Sequence, residues 1–269
     1  MDISPYRVQP DSTVDLSSWD TRGDDDLVKD DAKDETEILS KRLDELQEVL
    51  YAEEKHKVLV VLQATDTGGK DSTIRSVFGP LNPQGVVVTP FGKPTEAELA
   101  HDYLWRVHPH TPGSGMISVF NRSHYEDVLV VRVHGLVPED RWRRRYEHIR
   151  NFEQLLVDEG TTIVKLYLHL SKQEQAERLQ DRLDNPEKLW KFRLGDLEER
   201  KKWDDYQAAF TEMMERTSTA DAPWYVVPAD RKWFRNRVVH QIMVDTLEGL
   251  DMAYPEAEED VTGVVVLER

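Results

Sequence analysis

The sequence contains no cysteine. That removes disulfides, zinc–thiolate sites and thiol nucleophiles, and it suits a reducing compartment. No apolar run approaches the roughly 20 residues that span a bilayer, and Met1-Asp2-Ile3-Ser4 opens no signal peptide, so the expectation is a soluble cytoplasmic protein with no membrane partner. The nine histidines form neither HxxxH nor HExxH, so no zinc site is indicated, and no GxSxG elbow is present. Packing or surface roles are expected for His101, His108 and His124. An excess of positive charge is also lacking. The chain carries 35 Lys and Arg against 52 Asp and Glu, a net charge of −17, which argues against nucleic acid as a partner. Any polyanion must then be held by a local basic cluster.

What is present is enough apolar material for a core, 39% of 269 residues with seven Trp. Apolar, β-branched runs predict strands at 58–62, 86–91, 116–120, 162–168 and 224–228. Helical periodicity and caps predict helices at 35–54, 70–78, 96–107, 124–133, 138–158, 173–183, 186–191, 196–216 and 230–250. Regular alternation of strand and helix argues for an α/β fold, a parallel sheet flanked by helices. Residues 1–34 read as a polar arm with acid runs at Asp24-Asp25-Asp26 and Asp30-Asp31. A single domain is expected over 35–252. An acidic tail follows at 253–269, where Val264-Val265-Val266-Leu267 either adds a strand or stays loose.

The chain is organised around VLVVLQATDTGGKDSTIRS, residues 58–76. A buried strand runs into a Gly-bearing turn and then a helix. That order sets backbone N–H groups around one point at the positive end of a helix dipole, an arrangement that binds phosphate. The match to the P-loop template GxxxxGK[ST] has two departures. Ala64 replaces the first glycine. Asp71 stands where a metal-binding hydroxyl is expected, with Ser72 one position late. Thr67, Gly68, Gly69, Lys70, Asp71 and Ser72 are the expected phosphate cradle, and Lys70 adds a mobile charge. Asp66 is a carboxylate inside an anion-binding loop, which implies a metal between carboxylate and phosphate.

Ligands of parallel sheets sit at the carboxyl ends of strands. The third strand ends in Asn121-Arg122-Ser123, followed by Glu126 and Asp127. Arg122 is placed to bridge phosphates through its forked donors. Asn121 is a poor ligand for a hard cation, so Glu126 is expected to supply the second metal carboxylate beside Asp66. Adjacent helix positions point about 100° apart, so only one of Glu126 and Asp127 is expected to face the site. Arg178 and Arg182 lie one helical turn apart, and Lys188 and Lys191 follow across the Pro186 break. That is the pattern of a phosphate-clamping helical lid, about 178–195, although a solvated helix face paired with Glu174, Glu177 and Asp181 fits it as well. Arg141, Arg143, Arg144, Arg145 and Arg150, with Arg231, Lys232, Arg235 and Arg237, form a third basic set, each of which taken singly reads as a solubility residue.

Together these motifs resemble the polyphosphate kinase 2 family. The resemblance rests on Ala64-x-Asp66-x-x-Gly69-Lys70-Asp71, Asn121-Arg122-Ser123-x-Tyr125-Glu126-Asp127, Arg178-x-x-x-Arg182 with Lys188-x-Trp190-Lys191, and Ala222-Pro223-Trp224-Tyr225. It covers roughly residues 35–250. The Asn121 form is similar to the subgroup, class III, that phosphorylates both nucleoside mono- and diphosphates. The family implies a thymidylate-kinase-like P-loop fold and phosphoryl transfer between inorganic polyphosphate and adenine or guanine nucleotides, with Mg²⁺ or Mn²⁺, in a homo-oligomer. It carries catalytic roles to Asp66 and Lys70 and lid roles to Arg178, Arg182, Lys188 and Lys191. Two other functions share the motifs: a nucleoside monophosphate kinase with ATP as donor, and a P-loop module that binds without turnover.

Overall fold

The computed structural model describes residues 1–23, 27–257 and 259–266. Five strands form one parallel sheet: β1 (Lys57–Ala64), β2 (Val86–Pro90), β3 (Ile117–Asn121), β4 (Thr161–His169) and β5 (Trp224–Pro228), in the spatial order β2-β3-β1-β4-β5. The chain leaves β1 for β2 and β3 on one side and later returns to β4 and β5 on the other. β1 is therefore central and buried from Val58 onward, which explains its unbroken apolar run. The register sets Leu62 against Asn121 on one side and Leu166 on the other, so β3 ends two residues below Ala64, the last residue of β1, and the carboxyl ends of all three strands open on the same side of the sheet.

Nine α-helices are described: α1 (Lys29–Glu53), α2 (Lys70–Val77), α3 (Glu96–Leu99), α4 (Val130–Val133), α5 (Glu139–Asp158), α6 (Lys172–Asp184), α7 (Leu194–Lys201), α8 (Trp203–Thr217) and α9 (Lys232–Glu248). Alternate residues of β1 face opposite cores. Val58, Val60 and Leu62 pack with α1, α2 and α9, and Leu59 and Val61 pack with α5 and α8. Each fully buried aliphatic side chain contributes about 1.5–3 kcal/mol. The second core also encloses an ion pair, Lys165 Nζ to Glu153 Oε2 at 2.6 Å, with Tyr125 Oη donating to Glu153 at 2.6 Å. That network ties the segment after β3 to α5.

Several expected helices differ in extent. Helix 96–107 is α3 alone. Thr95 and Glu98 make the expected capping box, but the chain leaves the helix after Leu99 for a series of turns. Segment 124–133 is a 3₁₀ turn, His124–Asp127, capped by Ser123, followed by the short α4. Helix 196–216 is two helices that break at Lys202, and 186–191 contains only a 3₁₀ turn, Leu189–Lys191. α1 begins at Lys29, earlier than its periodicity indicates, with Asp30 and Asp31 favourably placed in its first turn.

Arg7 and Val8 run along the β5 edge, Arg7 forming an antiparallel bridge with Tyr225. Val8 N–H donates to Trp224 O at 2.8 Å, Ser218 Oγ donates to Val8 O at 2.8 Å, and Val8, Val14 and Leu16 are buried. The run Asp24-Asp25-Asp26 lies outside the described residues. Val264–Val266 form no strand and are exposed, and Leu267 is outside the described residues. No helix among the described residues is long and apolar enough to cross a membrane.

Candidate active site

The turn after β1 carries two residues with positive φ, Thr67 at 64° and Gly69 at 99°. Gly69 caps α2, whose first N–H groups at Lys70, Asp71 and Ser72 have no acceptor within the helix. The turn is pinned by side chains of α6. Gln175 Nε2 donates to Asp66 O at 3.0 Å and Arg178 Nη1 to Thr67 O at 3.1 Å. Lys70 folds back over the turn and donates to Ala64 O at 3.1 Å.

The end of β3 meets this turn. Arg122 has φ 63°, a conformation that costs a non-glycine residue about 1–3 kcal/mol, and its own N–H donates to Leu62 O at 3.1 Å. Strain held in this way marks a constrained position, and here it directs Arg122 Nη2 to Asp66 Oδ1 at 3.2 Å. Asn121 Nδ2 donates to Asp71 Oδ1 at 2.7 Å. An aspartate at 121 would set two carboxylates against each other, so the neutral amide follows from the acid in the P-loop.

Glu126 and Asp127 point apart. Gln63, with its amide oriented by its partners, donates to Glu126 Oε1 at 3.0 Å and accepts from Ser123. Asp127 is taken up by Arg145 Nη1 at 2.7 Å. Burial pushes the Glu126 carboxyl above its ordinary range and Asp66 adds to the rise, while Arg122 and Lys70 oppose it. Burial and the Arg122 charge lower the Lys70 pKa against the pull of Asp66, Glu126 and Asp71. Two cations and two carboxylates, Lys70, Arg122, Asp66 and Glu126, thus share one electrostatic site.

Asp66, Arg122 and Glu126 line a cavity of about 220 Å³ whose far wall is built by α4, α7 and α8, with Leu129, Trp203 and Tyr206. Tyr206 Oη donates to Glu199 Oε2 at 2.7 Å, and His134 Nε2 lies 2.9 Å from the same oxygen. This aromatic wall is absent from the expectations. Single Trp and Tyr residues on helices carry no motif, and only packing brings them opposite the strand ends.

The four basic residues expected in the lid separate. Arg178 is buried, and beyond Thr67 it bonds Glu174 at 2.8 Å and the carbonyls of Ala229 and Asp230 at 2.6 and 3.1 Å. Arg182 bonds Lys191 O at 3.2 Å and Asp196 at 3.3 Å, Lys188 pairs with Asp181 at 2.7 Å, and Lys191 lies over the Trp190 ring. None of these three lines the cavity.

A family model described as polyphosphate kinase 2 (PPK2) matches residues 26–255. The chain belongs to the polyphosphate kinase 2 family. It is 57% identical over 268 residues to the AMP/ADP-polyphosphate phosphotransferase of Meiothermus ruber, covering 98% of this chain and all of that one. It is 46% identical to the ADP-polyphosphate phosphotransferase of Rhodopseudomonas palustris, covering 93% and 91%. The crystal structure of polyphosphate kinase 2 from Arthrobacter aurescens TC1 superposes with a TM-score of 0.93 at 45% identity, over 96% of this chain and 93% of that one. The five-stranded sheet and P-loop described above are thus the fold of polyphosphate kinase 2 enzymes.

Among the described residues no three His, Asp or Glu side chains converge to hold a metal by themselves. The donor set fits a hard cation of another kind. Asp66 and Glu126 open on the same cavity beside the P-loop turn, and Mg²⁺ is commonly held by one or two carboxylates, with phosphate oxygens and water completing its shell.

Proposed function

We infer that this polyphosphate kinase transfers a phosphoryl group between inorganic polyphosphate and AMP or ADP. The observation that carries the reading is the quartet of Lys70, Arg122, Asp66 and Glu126, set between the P-loop turn and the cavity of about 220 Å³. In this family the two relatives named above are phosphotransferases of AMP/ADP and of ADP.

Phosphoryl transfer needs alignment and charge neutralisation more than covalent chemistry. The polyphosphate end would lie on the N–H groups of residues 67–72. Lys70, lifted off Ala64 O, would follow the transferred group, and Arg122 would bridge it to the acceptor. The acceptor is itself a phosphate oxyanion, so no general base is required. Glu126 and Asp66 would hold Mg²⁺ or Mn²⁺, which when bound neutralises charge on donor and acceptor oxygens. Segment 185–193 with Lys188 and Lys191 would close over the chain and exclude water. Cytoplasmic residence belongs to the same proposal and agrees with the cysteine-free composition. Assembly with further copies does too, and the exposed Val87 and Val88 on edge strand β2 offer a surface for it.

The test is incubation with polyphosphate, Mg²⁺ and either AMP or ADP, with no other nucleotide, and separation of the products. ATP formed from ADP supports the reading. Product only when ATP is supplied points instead to an ATP-dependent monophosphate kinase, and binding without product to a sensor module. Lys70→Ala is expected to reduce kcat by about 100- to 1000-fold, the scale for one preorganised charge donor, in a protein that still folds.

A further inference from the structure

Arg235 is the fourth residue of α9 and has no exposed surface. Its Nε and Nη2 are bonded to the neutral Oδ1 of Asn236, and Nη2 also reaches Ser72 Oγ at 3.1 Å. Nη1 is buried with no hydrogen-bond partner. None of the ion pairs among the described residues involves Arg235, and the charged group acting on it most is another cation, Arg178. Burial first, and that neighbour second, bring the guanidinium down to about 9.

Its surroundings sharpen the problem. Nη1 lies 2.1 Å from where a β-carbon on Gly69 would be, so the cation sits directly against the residue that caps α2. It is therefore at the positive end of the P-loop helix and in the first turn of α9 as well. A buried charge without a counter-ion, placed at two like-signed helix ends, lowers the stability of the free protein. Nothing in the packing requires this cost. A methionine would fill a similar volume.

We propose that Arg235 is a positioning residue whose counter-charge is the polyphosphate itself, held on the opposite side of Gly69, so that its uncompensated charge is converted into affinity when the anion binds. This rests on the P-loop being the polyphosphate site. Arg235 does not touch the chain. It acts through Gly69 and Ser72, fixing the cradle and raising its potential. Because the donor's charge is present before and during transfer, the effect falls on binding of polyphosphate more than on the chemical step.

The experiment compares wild type, Arg235→Met, Arg235→Gln and Arg235→Lys by thermal melting, with and without inorganic tripolyphosphate and Mg²⁺, and by steady-state kinetics in polyphosphate. Without anion, Arg235→Met is expected to melt at or above the wild-type temperature, and its tripolyphosphate-induced rise should be less than about half of the wild-type rise. Its KM for polyphosphate should increase on the order of tenfold with kcat held within about threefold, and Arg235→Lys should recover much of the affinity. A lower melting temperature of the free Met and Gln variants, or their failure to fold, with the anion-induced rise undiminished wherever it can be read, would show a purely structural role. If wild type itself gains no stability from tripolyphosphate, the P-loop assignment falls. If wild type gains it and Arg235→Met gains as much, only the role of Arg235 falls.

Discussion

Gly69→Ala is the substitution for which the structure fixes a magnitude most directly. Gly69 has φ 99°, where an L-residue pays roughly 1–2 kcal/mol. Its new methyl would lie 2.1 Å from Arg235 Nη1, 3.2 Å from Cζ and 3.3 Å from Ser72 Oγ. The guanidinium must withdraw and give up its bond to Ser72, a loss of about 1.5–3 kcal/mol for a charged donor. The sum, about 2.5–5 kcal/mol, corresponds to a fall in Tm of roughly 5–20 °C for a domain of this size. The two contributions separate in a double-mutant cycle read by urea unfolding. Arg235→Met removes the collision but not the backbone strain, so Gly69→Ala made in that background should cost only about 1–2 kcal/mol, leaving a coupling energy near 2 kcal/mol. Gly69→Ala melting within a degree of wild type, or a coupling energy of zero, would refute the contact on which the role of Arg235 is built.

Glu126→Gln is expected to raise the Mg²⁺ concentration needed for half-maximal rate and to lower kcat. An unchanged Mg²⁺ dependence would leave Asp66 as the sole carboxylate at the metal. The same variant has a stability signature without metal or substrate. A carboxyl whose folded pKa is raised, here by burial, is favourable when protonated, and that contribution is lost as pH rises from its ordinary value of 4.5 through the raised one. Glu126→Gln should therefore match wild type below about pH 4 and exceed it in Tm at pH 8, and melts across that range in EDTA would show it. Arg178→Ala should lower stability by about 3–5 kcal/mol, because it strips partners from Glu174 and from the Thr67, Ala229 and Asp230 carbonyls. Arg182→Ala, a more exposed pair, should cost under about 1 kcal/mol. Equal effects of the two on stability would mean that Arg178 is not the internal brace of the P-loop.

The sequence alone determined the strands and the P-loop, because both are local, whereas the strand order came from the fold. An unbroken apolar strand, a Gly-Gly turn and a lysine at the start of a helix are contiguous from Val58 to Lys70 and need no partner to be read. Asn121-Arg122-Ser123 and the carboxylates after it were equally visible, since parallel strands place their carboxyl ends on one side. Helix extents after Leu99 and around Lys202 were less so, because turns there are set by packing and not by Pro or Gly. The tertiary structure alone decided which of two adjacent acids faces the site. Arg145, eighteen residues on, takes Asp127, and Gln63, sixty-three residues earlier than Glu126, takes the other. It alone gave Arg178 and Arg235 their different places among many arginines. The burial of both, and the absence of a carboxylate partner at Arg235, arise from elements that meet only in the fold, α6 and α9 closing on a turn more than a hundred residues away. A basic residue's spacing says which helix face it shares, but its chemistry is set by what lies opposite, and that is fixed by the packing of distant segments.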